Sequence, residues 1–196
     1  MIFIILGTLS WFLFYGSYFI KMYHQKKKGI MTDHMGFGAK RSSTLKLEKW
    51  LRIITYLTGL VQILGIALSS FYPLLISSFS IRFIGCILSF MGAGILIASM
   101  SAMKTSWRAG VDFTQNESLI TTGIYRFSRN PAFVGFDIFY IGFALTFCNI
   151  ELCILSLSSI LLLHFQILQE ESYLPMLFGK EYEEYKRKTP RYFLFL

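Results

Sequence analysis

Asp137 and His164 are ionisable residues inside otherwise apolar runs, and a charged group in a membrane interior is costly enough to be a functional candidate by default. Asp137 lies six residues past Pro131 and His164 six residues before Glu170, about 9 Å of helix in each case at ~1.5 Å per residue. An antiparallel hairpin would bring them to one depth, which predicts an Asp137–His164 pair. In such a pair Asp137 orients the imidazole, and His164 removes or accepts a substrate proton near neutral pH. The same contact serves as well as a structural hydrogen bond between the two helices. Arg129-Asn130-Pro131 reads as a helix start, with Asn130 at the N-cap and Pro131 at the first helical position. Its free amides suit an anion such as a carboxylate, although capping alone explains the tripeptide. Gln166 and Glu170 share a helix face at i, i+4, and His164 shares another with Glu171. Cys86, Cys148 and Cys153 lack metal-ligand spacing, so no metal site is expected.

The elements that must carry these residues are membrane helices. Of 196 residues 54% are hydrophobic and 15% charged, which excludes a disordered chain and a disulfide-stapled secreted module. An apolar run of about 20 residues spans a bilayer as a helix, and five candidates follow: 2–20, 53–76, 81–103, 133–149 and 152–168. The last two flank a tight Cys-Asn-Ile-Glu turn and read as a helical hairpin. The expected fold is therefore all-α, one membrane domain over 1–196, an integral membrane bundle of five transmembrane helices with a cytoplasmic C-terminal segment. The first run is retained, because its Lys cluster follows the apolar stretch instead of preceding it.

Lys and Arg fix the orientation. Eighteen of the 19 fall in the connections on one side of this five-span path and only Arg82 on the other, which places the N-terminus outside and the C-terminus in the cytoplasm. The net charge of +8 then reflects topology, and nucleic acid is not an expected partner. Residues 24–44 read as a linker, with Lys26, Lys27 and Lys28 as an anchor to anionic headgroups. Gly92-Ala93-Gly94 has the spacing of close helix packing. Trp107 and Arg108 are either a pocket wall or an interfacial pair. Tyr182 and Tyr185, with Phe178, fall on one side of a C-terminal helix that either covers a pocket or lies at the interface.

The ordered series Leu119-Ile-Thr-Thr-Gly-Ile-Tyr125, Arg129-Asn-Pro-Ala-Phe-Val-Gly135, a hydrophobic hairpin, Glu170-Glu171, Leu174, Phe178-Gly179, Tyr182 and Tyr185 resembles the isoprenylcysteine carboxyl methyltransferase family and its relatives among membrane phospholipid methyltransferases. The resemblance covers residues 104–192. It implies methyl transfer from S-adenosyl-L-methionine to a lipophilic small-molecule or lipidated acceptor, with the cofactor at the cytoplasmic ends of the last spans. It places cofactor contacts on Glu117, Ser118, Leu119, Ile120 and Tyr125, and on Glu170. The family's Arg-His-Pro-x-Tyr motif falls on Arg129, Asn130, Pro131, Ala132 and Phe133, where an amide replaces the imidazole and Phe the phenol. Asn still donates and accepts hydrogen bonds but cannot act as a general base.

In prenylcysteine enzymes an Arg four residues before the acid is thought to hold the substrate carboxylate, and the resemblance puts Gln166 there as the substrate-binding residue. A neutral amide lacks the charge-assisted pairing of Arg, so a neutral or amine-bearing lipid is expected to be preferred. Phospholipid N-methylation, or a non-catalytic scaffold that keeps the cofactor shell, are the alternatives. Residence in the inner membrane of a prokaryote, or in the endoplasmic reticulum of a eukaryote, is the corresponding expectation.

Overall fold

A computed structural model describes residues 1–37, 40–69, 71, 73–110 and 118–193. The described residues form five helices: α1 Ile2–Lys27, α2 Ser42–Ala67, α3 Phe79–Met103, α4 Pro131–Thr146 and α5 Ile150–Lys188. α1, α2 and α5 are each long and apolar enough to cross a membrane, as is α3 together with the short 3-10 turn that follows it. The fourth predicted span is the exception. α4 has 16 residues, about 24 Å at 1.5 Å each, against a hydrocarbon thickness of about 30 Å.

The second helix is displaced from its expected place: it begins at Ser42, eleven residues before the expected 53, and ends at Ala67 instead of 76. Hydropathy alone misses its first turns, where Glu48 and Arg52 are folded into the helix and bonded from its side. At the other end Pro73 has no amide hydrogen to continue a helix, and Leu75 instead donates its amide to Cys148 O at the α4–α5 turn. That turn is capped as the sequence suggests a hairpin should be, with Asn149 Oδ1 accepting from Leu152 N at 2.9 Å.

α3 and α4 form the tightest pair because glycine lets their backbones touch. A Cβ on Gly92 would lie 2.5 Å from Phe139 N, and one on Gly85 would lie 2.6 Å from Gly142 O. Gly135 and Gly142 supply the matching gaps on α4. α1 lies across this pair, stacking Phe14 on Phe139 with ring centroids 3.8 Å apart. α2 packs on α5, partly through a Thr58–Ser159 hydroxyl contact of 2.9 Å. α1 and α2 hardly meet each other.

The described residues of 24–44, expected to be a linker, pack back on the bundle, and Asp33 and Met35 among them line its cavity. Gln25 is buried and its Nε2 donates to Thr105 O at 2.8 Å and to Trp107 O at 3.2 Å. An isolated bridge then joins Asp33 to Ala109, with His34 N donating to Ala109 O and Ala109 N to Thr32 O. At the far end α5 bends at Gly179, whose φ of 52° is left-handed, and the bend returns Tyr182 and Tyr185 to the interior, both buried.

Candidate functional site

The ends of these elements enclose a cavity of about 380 Å³. Its deep wall is apolar, from Phe14, Tyr15, Phe136 and Tyr140 of α1 and α4. Trp107, Ser118, Leu119, Ile120 and Tyr125 supply a second wall, and Tyr173, Phe178, Tyr182 and Tyr185 of α5 a third. The lining also runs out to Phe19 of α1 and Tyr56 of α2, 53% and 64% exposed, so it reaches the outer surface where those two helices stand apart.

Two acids on successive positions of α5 have opposite surroundings. Both lie beyond Leu168, where the apolar run of that helix ends. Glu170 lines the cavity, and its hydrogen-bond partner is Gln166 Nε2 at 2.9 Å. Burial, only partly offset by that amide, pushes its carboxyl up to about 7. The same Nε2 reaches Glu48 Oε1 at 3.3 Å, and Glu48 is in turn paired with Lys40 Nζ at 2.8 Å with both side chains shielded from solvent. A chain of polar contacts thus runs from the α1–α2 connection to the cavity wall.

Glu171 is clasped instead. It accepts from Arg129 Nη2 at 3.0 Å and 3.1 Å, from Asn130 Nδ2 at 2.8 Å and from Arg191 Nε at 3.0 Å. Burial alone would raise its carboxyl, but these donors and the Arg129 charge outweigh it and hold the group below its usual range. Arg129 also donates Nη1 to Thr189 O at 2.6 Å, and Arg129 N bonds Pro190 O, so the segment after α5 is tied to the start of α4.

Most of the residues marked in the sequence converge here. Ser118, Leu119, Ile120, Tyr125, Arg129, Asn130, Ala132, Phe133, Gln166 and Glu170 all line the cavity. Pro131 opens α4 without lining it, and Glu117 lies outside the described residues. Asn130 occupies the N-cap position of α4, yet its side chain makes no capping bond; its Nδ2 instead donates to Glu171 Oε1 at 2.8 Å and to Arg191 O at 3.2 Å.

The Asp137–His164 pair is not formed. His164 Nδ1 lies 2.5 Å from Tyr192 Oη, and Asp137 Oδ1 has no hydrogen-bond partner among the described residues. The C-terminal segment supplies a phenol to His164 that helix arithmetic cannot foresee. Neither residue lines the cavity.

Sequence reasoning missed Asp33, Lys40, Glu48 and Arg52. Glu48 and Arg52 stand four apart just before an apolar run, a pattern that also describes an ordinary exposed helix face. Trp107, by sequence either a pocket wall or an interfacial residue, is a wall residue, 5% exposed, whose Nε1 has no partner among the described residues. Gln166 Oε1, likewise buried, has none there either.

A family model described as phospholipid methyltransferase matches residues 80–181, just over half of the chain. The chain is 36% identical over 81 residues to a probable protein-S-isoprenylcysteine O-methyltransferase of Oryza sativa subsp. indica, covering 40% of this chain and 42% of that protein. It is 31% identical over 125 residues to the protein-S-isoprenylcysteine O-methyltransferase of Schizosaccharomyces pombe, covering 58% and 52%. With the protein of the same name from Xenopus laevis it shares 30% over 126 residues, covering 62% and 43%. The chain thus spans about half or less of the length of these curated relatives.

Proposed function

The chain belongs to the phospholipid methyltransferase family, and from that premise we propose that it is an integral-membrane methyltransferase that uses S-adenosyl-L-methionine on a lipophilic acceptor. The observation that carries the reading is Glu170, a carboxyl group on the wall of an aromatic cavity with a neutral amide as its hydrogen-bond partner. The residues fit the cofactor. Glu170 offers negative charge to an ammonium or a sulfonium, Trp107 and Phe133 offer flat apolar surface, and Trp107 Nε1 and Gln166 Oε1 are a donor and an acceptor without partners among the described residues.

When bound, S-adenosyl-L-methionine supplies a methyl group already activated on sulfur. The protein's share is therefore proximity and orientation in a site shielded from water. Gln166 fixes the Glu170 carboxyl from one side, and Glu48 with Lys40 fixes Gln166 from behind. Tyr125, through its carbonyl, anchors Tyr185 Oη at 2.7 Å and so holds the α5 wall against the segment before α4. No proton transfer is assigned to His164, which is engaged with Tyr192 off the cavity. Charge asymmetry supports an outside N-terminus and a cytoplasmic C-terminus, which puts the cavity at the cytoplasmic side, within reach of a water-soluble cofactor.

The relatives' names favour a prenylated cysteine as acceptor, and the matching family model favours a phospholipid. The test of the common reading is calorimetric. Detergent-purified protein should bind S-adenosylhomocysteine, and Glu170→Ala should weaken that binding at least tenfold; equal affinity in the variant removes Glu170 from the site. Labelled methyl transfer into prenylated peptides and into total lipid extract then reports the acceptor, and binding without transfer to either identifies a scaffold.

A further inference from the structure

Arg52 is the cationic side chain that α2 contributes to the cavity wall, 27% exposed in a lining that is otherwise mostly aromatic and aliphatic. Among the described residues all of its hydrogen bonds come from one nitrogen: Nη2 donates to Asp33 Oδ1 at 2.8 Å, Asp33 Oδ2 at 2.9 Å and Met35 O at 2.6 Å. A guanidinium carries five N–H donors. The Nε hydrogen and the two on Nη1 have no acceptor among the described residues.

Asp33 is in the opposite position, since its oxygens are taken up by Arg52 and by Met35 N at 3.0 Å. The pair is neutral overall, but with three free N–H groups on Arg52 against about one remaining acceptor site on Asp33 its spare capacity is mainly that of a donor. The guanidinium is also held in place, lying 5.0 Å from the centroid of the Phe37 ring, so its free Nε–H and Nη1–H groups are presented in fixed directions.

Its neighbours indicate what kind of molecule brings the acceptor. Thr55 and Tyr56 lie three and four residues further along α2, and Tyr18, Phe19 and Met22 face them from α1; these line the part of the cavity that reaches the outer surface between the two helices. A cationic side chain with free N–H donors beside an apolar passage matches an amphiphile with an anionic head. We infer that Arg52 binds an anionic oxygen group, carboxylate or phosphate, on the lipophilic acceptor. This rests on the methyltransferase reading for the word acceptor, but the binding itself needs no turnover.

The test uses full-length protein in detergent and two matched ligand pairs: S-farnesyl-N-acetylcysteine against its methyl ester, and dodecyl phosphate against dodecanol. In each pair the tail is constant and the negative charge is removed. At least one charged member should bind tenfold or more tighter than its neutral partner. Arg52→Gln should erase that preference, and Arg52→Lys should keep part of it, while S-adenosylhomocysteine affinity stays within twofold in both. A preference confined to the first pair assigns a carboxylate, and one confined to the second assigns a phosphate. Equal binding within both pairs by the wild-type protein overturns the inference even if the glutamine variant fails to fold, as does a preference that survives in a folded Arg52→Gln protein. Loss of S-adenosylhomocysteine binding by the wild type is a separate result and defeats the cofactor reading instead.

Discussion

At the scale of single residues the neighbouring acids of α5 make opposite predictions. Glu170 holds its proton up to about pH 7 because burial makes the ionised form expensive. A cationic ligand selects the carboxylate, so its binding should expel a proton and tighten as pH rises from 6 towards 7.5, then level off. Calorimetry in buffers of different ionisation enthalpy measures the proton count, and Glu170→Gln should flatten the profile. Glu171, whose carboxyl is depressed, stabilises the fold above the ordinary glutamate range and loses that contribution as pH falls through its lowered value. Glu171→Ala leaves Arg129 buried and without its carboxylate, at a cost of about 3 to 5 kcal/mol; thermal unfolding in detergent should show a large loss, and Glu171→Gln a smaller one. Ten of the site positions marked in the sequence do line the cavity, because ordered motifs constrain residues close together along the chain. Asp33, Lys40, Glu48 and Arg52 were illegible there, since their partners come from distant elements and nothing local separates a buried charge from a solvated one.

At the scale of elements, helix existence was legible and helix limits were not. Apolar runs locate α1, α3 and the α4–α5 hairpin, whereas the start of α2 depends on polar turns that become favourable only once Glu48 meets Lys40 and Gln166. The glycines of α3 sharpen the point. Gly92 is pressed against α4, but a Cβ on Gly94 would have nothing within 4 Å. Gly92→Ala should therefore lower the melting temperature by several degrees, because the backbones of α3 and α4 must separate to admit a methyl group. Gly94→Ala should leave it unchanged or raise it, since Ala is favoured over Gly inside a helix by roughly 0.5 to 1 kcal/mol. Equal effects at the two positions would show that the α3–α4 contact is looser than described. The two glycines are indistinguishable in sequence; only the partner helix tells them apart.

At the scale of the whole molecule, charge asymmetry and cavity position make one joint prediction. A reporter fused after Leu196 should be active in the cytoplasm and one inserted near Asn149 on the opposite side; the reverse pattern would put the cavity where a cytoplasmic ligand cannot reach it. The Glu171 clasp carries a further consequence for how such a site comes into being. It joins Arg129, Asn130 and Glu171 to Arg191 and to the carbonyl of Pro190, so the wall it secures draws on residues made about sixty positions after the start of α4. A chain still on the ribosome can insert α1 to α4 with the donors of residues 129 and 130 unanswered. That wall is thereby secured only once α5 and the segment after it have followed α4, and a chain that stops short of Arg191 has no closed chamber in which to hold a reactive ligand.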